Sequence, residues 1–239
     1  MKKILIPLPD HDFDLTEVAV PWKLFRNKNY NIVFATEHGN RAYCDPKLIT
    51  GVLFGQLGAE KEAIEFYREL EKSEEFLHPI KYNQIIPEQF DLLVLPGGHA
   101  PGMKQYLESI VLQEKVLQFF KLNKIVGSIC HGSIVLARTK DPLTEKSIVF
   151  NRKLTGLTKF LERIAYYLTF WKLGTYYRTY PAYVQDEVKN NLANSLGFIT
   201  GDNQFKPFVC VDGNLITARW PKDAYLFAET LIKKLEESK

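Results

Sequence analysis

Cysteine is scarce here, with 3 residues in 239, at Cys44, Cys130 and Cys210. An odd number so widely spaced excludes a disulfide framework and a Cys-x-x-Cys metal pair. Each thiol therefore defaults to burial in a reducing compartment. An excess of one charge is also missing. Lys and Arg total 31 against 28 Asp and Glu, a net of +3 spread too evenly to make nucleic acid or an anionic membrane the main partner. No apolar run approaches the roughly 18 residues of a transmembrane helix. The opening Met1-Lys2-Lys3-Ile4-Leu5-Ile6-Pro7 stops too soon for a signal-peptide core, so a cytoplasmic protein is expected. There is no P-loop, no Gly-x-Gly-x-x-Gly and no His-Glu-x-x-His, and no cofactor is expected. Asp10-His11-Asp12-Phe13-Asp14 suggests a metal loop but lacks the glycine and distal glutamate that calcium requires. A site built from His11, His99 and a carboxylate is the alternative; the expectation carried forward is no metal.

What is present is an ordinary globular composition, 46% hydrophobic and 25% charged, which argues against disorder. Lys2–Pro9 reads as a buried strand. Asp14-Leu15-Thr16-Glu17 resembles a capping box, and Val18, Trp22 and Phe25 continue it as a helical stripe with Pro21 near the first turn. Tyr30–Thr36 is a second strand. Strand, helix, strand in that order predicts an α/β fold with a parallel sheet. Residues from about 40 to 85 break the rhythm. Gly51, Gly55 and Gly58 punctuate an apolar stretch before an amphipathic helix from Ala59 to Leu70, together read as an inserted cap over one end of the sheet.

The sheet resumes at Asp91–Pro96, apolar enough for a strand buried on both faces, followed by a helix over Leu112–Phe120 and a strand at Lys124–Ile129. A short strand is expected near Ile148, and a second, tyrosine-rich helical cap at 158–190. Phe208–Val211 and Leu215–Thr217 form a hairpin around Asp212-Gly213-Asn214, and a clean helical stripe closes the chain from Ala224 to Leu235. No repeat or linker appears, and one domain over residues 1–239 with two cap insertions fits the pattern.

Cys130 is the thiol with a distinctive setting: strand, cysteine, His-Gly, then helix. A turn of that kind lifts the corner side chain above the sheet, the geometry of a nucleophile elbow. It also sets the thiol at a helix N-terminus, where a cysteine pKa of ~8.5 can fall to roughly 3.5–7.5. Cys210 reads as core and Cys44 as a surface thiol without a role. The five histidines are His11, His38, His78, His99 and His131, so no downstream histidine can serve Cys130, and His131 beside it is the candidate base. Glu17 has two readings: the partner in the capping box, or a buried, protonated carboxyl that donates a hydrogen bond to the Cys130 thiolate. Gly97-Gly98 suits either a tight turn or a backbone oxyanion donor.

Glu17 within DLTEVAVPW, LPGGHAPG at 95–102, GSICHGSIVLA at 127–137 and VDGNLITARWP at 211–221 together resemble the ThiJ/PfpI superfamily. Its fold is that of class I glutamine amidotransferases. The two insertions are similar to those of the branch of heat-shock chaperones with glyoxalase III activity. The resemblance implies a flavodoxin-like three-layer α/β sandwich with a mainly parallel central sheet and helical caps, assembled as a homodimer. It implies Cys130 as nucleophile, His131 as its partner, Glu162 as the acid that orients it, and Glu17 as hydrogen-bond donor to the thiol. The Gly98 and His131 N–H groups would form the oxyanion site. Two departures stand out: Ser133 replaces a proline common in relatives, and 158–190 is unusually aromatic. Amidotransferase activity is not implied, since its downstream histidine is absent. The leading expectation is a cofactor-free enzyme acting on small reactive carbonyls, methylglyoxal to lactate. Alternatives are a cysteine amidase or peptidase acting on an amide substrate, and a holdase chaperone or oxidation-sensing stress protein with unfolded clients.

Overall fold

A computed structural model describes residues 1–52 and 56–238. In chain order the first half contains β1 (Lys3–Pro7), β2 (His11–Phe13), α1 (Leu15–Asn27), β3 (Asn31–Thr36), β4 (Tyr43–Cys44), α2 (Pro46–Thr50), α3 (Lys61–Leu70), α4 (Glu74–Leu77), β5 (Ile80–Lys81) and β6 (Leu92–Leu95). The second half contains α5 (Met103–Glu108), α6 (Ile110–Lys121), β7 (Ile125–Ile129), α7 (Gly132–Arg138), α8 (Lys159–Leu173), α9 (Val184–Asn190), β8 (Val209–Asp212), β9 (Leu215–Ala218) and α10 (Ala224–Glu237).

Seven strands form the central sheet in the order β5-β3-β1-β6-β7-β9-β8, parallel throughout except for β8, which runs antiparallel to β9. Every residue of β6 and β7 is buried, which a parallel strand achieves only with helices on both faces. Helices α1, α3 and α10 pack together as one layer, and α5, α6, α7 and α9 as the other. Gly127 lets α10 approach: a Cβ there would sit 2.9 Å from the side chains of Leu231 and Phe227. The fold is thus an α/β sandwich around a mostly parallel sheet. The chain runs outward from β1 in both directions, to β3 on one side and β6 on the other. The carboxyl ends of β1, β6, β7 and β9 therefore meet at the switch point where such sheets carry ligands.

Several sequence expectations need correction. Segment 40–85 is more than a cover over the sheet end, because β5 adds an edge strand to the sheet and α3 lies along α1. Gly55 lies outside the described residues. No strand forms at Ile148; Lys140 and Ser147 make an isolated bridge instead. Pro21 falls in the second turn of α1, so the Glu17 carbonyl lacks its N–H partner four residues on. Cys44 is buried on β4, its N–H donating to the Tyr67 hydroxyl, and burial pushes its thiol up to about 12. Among the described residues no helix is long and apolar enough to cross a membrane.

Candidate active site

Cys130 sits at the corner between β7 and α7 in the left-handed region, with φ 59°. That conformation costs a non-glycine residue about 1–3 kcal/mol and persists only where its surroundings over-determine it. They do. Its N–H donates to the Ala218 carbonyl at 3.1 Å, and its own carbonyl accepts from the Ser133 hydroxyl at 2.8 Å and the Leu157 N–H at 3.4 Å. Ser133 thus helps to pin the elbow. The following glycine is required for space, because a Cβ on Gly132 would lie 2.1 Å from the Leu95 carbonyl oxygen.

The elbow brings Cys130 Sγ to 3.5 Å from Nδ1 of His131. The ring's other nitrogen, Nε2, lies 3.2 Å from the Thr179 hydroxyl. That hydroxyl already donates to the His99 carbonyl at 2.7 Å, so toward His131 it can only accept. Nε2 therefore carries the proton, and the Nδ1 lone pair faces the thiol. Burial first, then the neighbouring His99, Arg178 and Arg138, holds the His131 pKa well below the usual imidazole value. The ring is neutral near pH 7 and can accept a proton from sulfur.

Glu17 leaves its capping box half formed. Asp14 does cap α1, accepting from Thr16 N–H at 2.8 Å and Glu17 N–H at 3.2 Å. The Glu17 side chain does not return to Asp14; Oε2 accepts from Gly97 N–H at 2.8 Å, while Asp14 N–H donates to the Gly97 carbonyl. Oε1 is buried with no hydrogen-bond partner, and the carboxyl lies beside the Cys130 thiol closely enough for each to shift the other's pKa. Burial, reinforced by Asp14, raises the Glu17 pKa well above its ordinary value, which favours the protonated carboxyl with a hydrogen to give to sulfur. Asp14 itself is pushed up to about 6, chiefly by burial.

Gly97 makes this contact possible. A Cβ there would stand 2.6 Å from His131 N, 2.9 Å from Cys130 Cβ and 3.0 Å from Glu17 Oε2. Its N–H is spent on Glu17, which leaves Gly98 as the donor available from this loop. Gly98 is equally confined, since its Cβ would fall 2.6 Å from the Asp12 carbonyl oxygen.

Two sequence expectations meet different geometry. The helix N-terminus does not dominate the thiol: burial first, then the acidic Glu17 and Asp14, pushes the Cys130 pKa up, and the His131 backbone N–H opposes this only in part. The resting pair is therefore neutral thiol and neutral imidazole. Glu162 is buried, but its oxygens accept from Val184 N–H at 3.0 Å and from Arg178 at 3.2 Å, and the structure does not bring it to His131. Burial raises its pKa to about 7.

Thr179 went unassigned from sequence, and His99 entered only the alternative metal set with His11, whereas the structure groups it with Cys130 and His131. Nothing local marks a threonine 48 positions from the histidine it serves. His99 was visible as the end of Gly97-Gly98-His99. Its ring packs edge-on against that of His131, centroids 4.9 Å apart. Ligand atoms of His99, Cys130 and His131 all lie within 4.8 Å of one another, a set that could hold a soft metal ion at the cost of occupying the thiol.

Comparison with known proteins agrees with this architecture. An uncharacterized Schizosaccharomyces pombe protein, C14C4.04, is 28% identical over 172 residues, covering 69% of this chain but only 62% of that protein. Glutathione-independent glyoxalase hsp3102 of the same organism is 24% identical over 237 residues, 92% of this chain and 87% of the relative. The crystal structure of glyoxalase III from Candida albicans superposes with a TM-score of 0.73 at 22% identity, over 97% of this chain and 96% of that one. A family profile described as ThiJ/PfpI family-like matches residues 8–225. With its sheet order and Cys-His-Gly elbow, the chain belongs to that family.

Proposed function

We propose that this chain is a cysteine-dependent glyoxalase that converts a 2-oxoaldehyde, such as methylglyoxal, into the 2-hydroxy acid without glutathione. The observation that carries this reading is the His131 ring, with Nδ1 3.5 Å from Sγ and Nε2 tied to Thr179. The name of the Schizosaccharomyces pombe relative supports the same chemistry.

In the proposed cycle Nδ1 takes the Cys130 proton as sulfur adds to the aldehyde carbon. The C=O pair becomes an alkoxide near the Gly98 and His131 N–H groups, and Glu17 steadies the sulfur until the bond forms. The alkoxide takes up the proton to give a hemithioacetal. Neutral His131 then removes the C1 hydrogen to give an enediolate, the proton returns at C2, and the C1 hydroxyl proton passes to the C2 oxygen. Carbon 1 is now an acyl thioester, oxidised by two electrons, and carbon 2 a carbinol, reduced by two. Water cleaves the thioester to the acid and restores the thiol. The redox change is internal, so the step needs no outside oxidant.

The test is lactate formation from methylglyoxal by purified protein without glutathione. Repeated turnover by wild type and a loss of at least about a thousandfold in Cys130→Ser is expected, since the thiol is the covalent catalyst. Wild type that fails to turn over would overturn the reading. Chromogenic amides in the same assay separate an amidase, which would use the same dyad through an acyl-enzyme. A nucleophilic thiol that must stay reduced supports a cytoplasmic location; light scattering tests the homodimer that family resemblance implies.

A second reading draws on α8. Phe160, Tyr167, Phe170 and Trp171 are each about half exposed or more, at 50%, 54%, 47% and 63%, an apolar patch of the kind that binds other chains. A holdase using it would protect a heated client equally well as Cys130→Ser. Absence of protection at equimolar protein removes this reading.

A further inference from the structure

Beside the dyad lies a cavity of about 260 Å³ whose walls are mainly apolar: Leu157, Leu161, Ile164, Ala165, Leu168 and Trp220. Two of its lining residues also belong to the thiol's surroundings. Leu157 donates its N–H to the Cys130 carbonyl, and His99 has a ring nitrogen within 4.8 Å of Sγ. The Nε2 of His99 is shielded from solvent and has no hydrogen-bond partner among the described residues. Its pKa is lowered to about 4 by burial, so it is a neutral ring with hydrogen-bonding capacity left over.

These features do not match a three-carbon substrate. A methyl group is about the size of a water, which takes ~30 Å³ in the liquid, and would leave most of the cavity empty. The cavity needs something apolar to fill it, and His99 needs something polar beside the thiol.

Resting on the glyoxalase reading, we infer that the preferred substrate is a 2-oxoaldehyde with a bulky hydrocarbon substituent, of phenyl or branched-alkyl size. The substituent occupies the cavity under α8, and His99 holds the ketone oxygen next to the carbon that Cys130 attacks. The aldehyde end reaches Sγ, and the oxygen on the adjacent carbon lies within hydrogen-bonding range of His99. Segment 158–190, which supplies Leu161, Ile164, Ala165 and Leu168 from α8, thus acts as the specificity element of the site.

The experiment compares kcat/KM for phenylglyoxal and methylglyoxal in wild type, Ala165→Trp and Ile164→Trp. Each apolar group of methylene size that a hydrophobic pocket accepts is worth about 10- to 200-fold in kcat/KM. The wild-type ratio should therefore favour phenylglyoxal by at least about tenfold, and each indole should lower that ratio by about tenfold or more. Both positions are partly buried and line the cavity, so two variants guard against misfolding of either. Comparing the ratio between wild type and each variant cancels the differing intrinsic reactivity of the two aldehydes. A wild-type ratio near one, or a ratio unmoved in both variants, overturns the inference.

If wild type turns over neither compound, the glyoxalase reading fails, and calorimetric titration with acetophenone decides the cavity separately. Binding to wild type that both tryptophan variants abolish would retain the apolar-substituent class. No binding to wild type would sink it.

Discussion

His131 Nε2 and Thr179 Oγ1 stand 3.2 Å apart, and the threonine's hydrogen is committed to the His99 carbonyl. A group that has spent its only proton can do nothing but accept, and this selects the tautomer that leaves Nδ1 open to sulfur. Thr179→Val removes that acceptor and should lower kcat by about 10- to 100-fold, less than the roughly 10²–10⁴-fold at stake in the general base itself, with KM little changed. Thr179→Ser should recover most of the loss. A valine variant with wild-type kcat and wild-type pH dependence of thiol alkylation would show that another group orients the ring.

The acid limb of the rate profile should fall well below the usual imidazole value of 6.5, since burial and the nearby cations lower the His131 pKa. Activity should therefore hold steady from neutral pH down past 6.5 and decline only in more acidic solution. An acid limb centred at or above 6.5 in kcat/KM would contradict the neutral-ring assignment.

Glu17 makes the opposite prediction for stability. Its folded pKa is raised above the unfolded value of 4.5. Above pH 4.5 the unfolded chain releases this proton while the folded chain keeps it, so Glu17 costs stability increasingly as pH rises toward the folded pKa. Glu17→Gln keeps an acceptor for Gly97 N–H without that ionisation. Its melting temperature relative to wild type should climb as pH rises from 4.5 toward the folded pKa, at about 2–4 °C per kcal/mol for a chain this long. A gap that shrinks with rising pH would mean that Glu17 is ionised in the fold.

Gly97→Ala adds one methyl against backbone and catalytic atoms that cannot all retreat, with His131 N only 2.6 Å away. A destabilisation of about 1–3 kcal/mol is expected from such overpacking, together with a loss of activity of at least about a hundredfold, as misplacement by about 1 Å can bring. Urea unfolding and methylglyoxal turnover measure the two parts. Wild-type behaviour in both would show that the loop can shift freely.

Arg219 is fully buried against Asp223, donating to both of its carboxylate oxygens and to the carbonyls of Thr200, Asn203 and Lys206. It precedes Trp220, a wall of the cavity. Arg219→Met strands a buried carboxylate and should cost about 3–5 kcal/mol in urea unfolding, the usual penalty for breaking a buried pair from one side. Arg219→Met with Asp223→Asn should recover part of it. No recovery would mean that the carbonyl contacts, rather than the ion pair, carry the cost.

Much of the fold was legible because its signals are local. Leu92–Leu95 is apolar at every position and Ile125–Ile129 at all but Ser128, a pattern that suits a doubly covered strand. The Asp-Gly turn between β8 and β9 has its glycine at φ 60°, as its chemistry predicts. The Cys-His-Gly elbow was readable for the same reason, since strand, corner and helix are consecutive in the chain. By contrast, Lys140–Ser147 satisfies its backbone with an isolated bridge, and β5 is only two residues long. Short apolar pieces carry too little pattern to separate strand from turn.

What the sequence determined by itself was the scaffold and its nucleophile: alternating strands and helices, a thiol at a strand-to-helix corner, and a histidine bonded next to it. Tertiary structure decided the rest of the site, because those partners arrive from distant elements. Glu17 and Gly97 are joined across 80 residues, and His131 and Thr179 across 48. Glu162 could be placed from sequence only by resemblance, and in the fold Val184 and Arg178 claim its oxygens first. Protonation was likewise beyond local reading. A helix start argues for a low thiol pKa, yet desolvation acts through everything packed around a group, and at Cys130 it outweighs the few N–H groups of the turn.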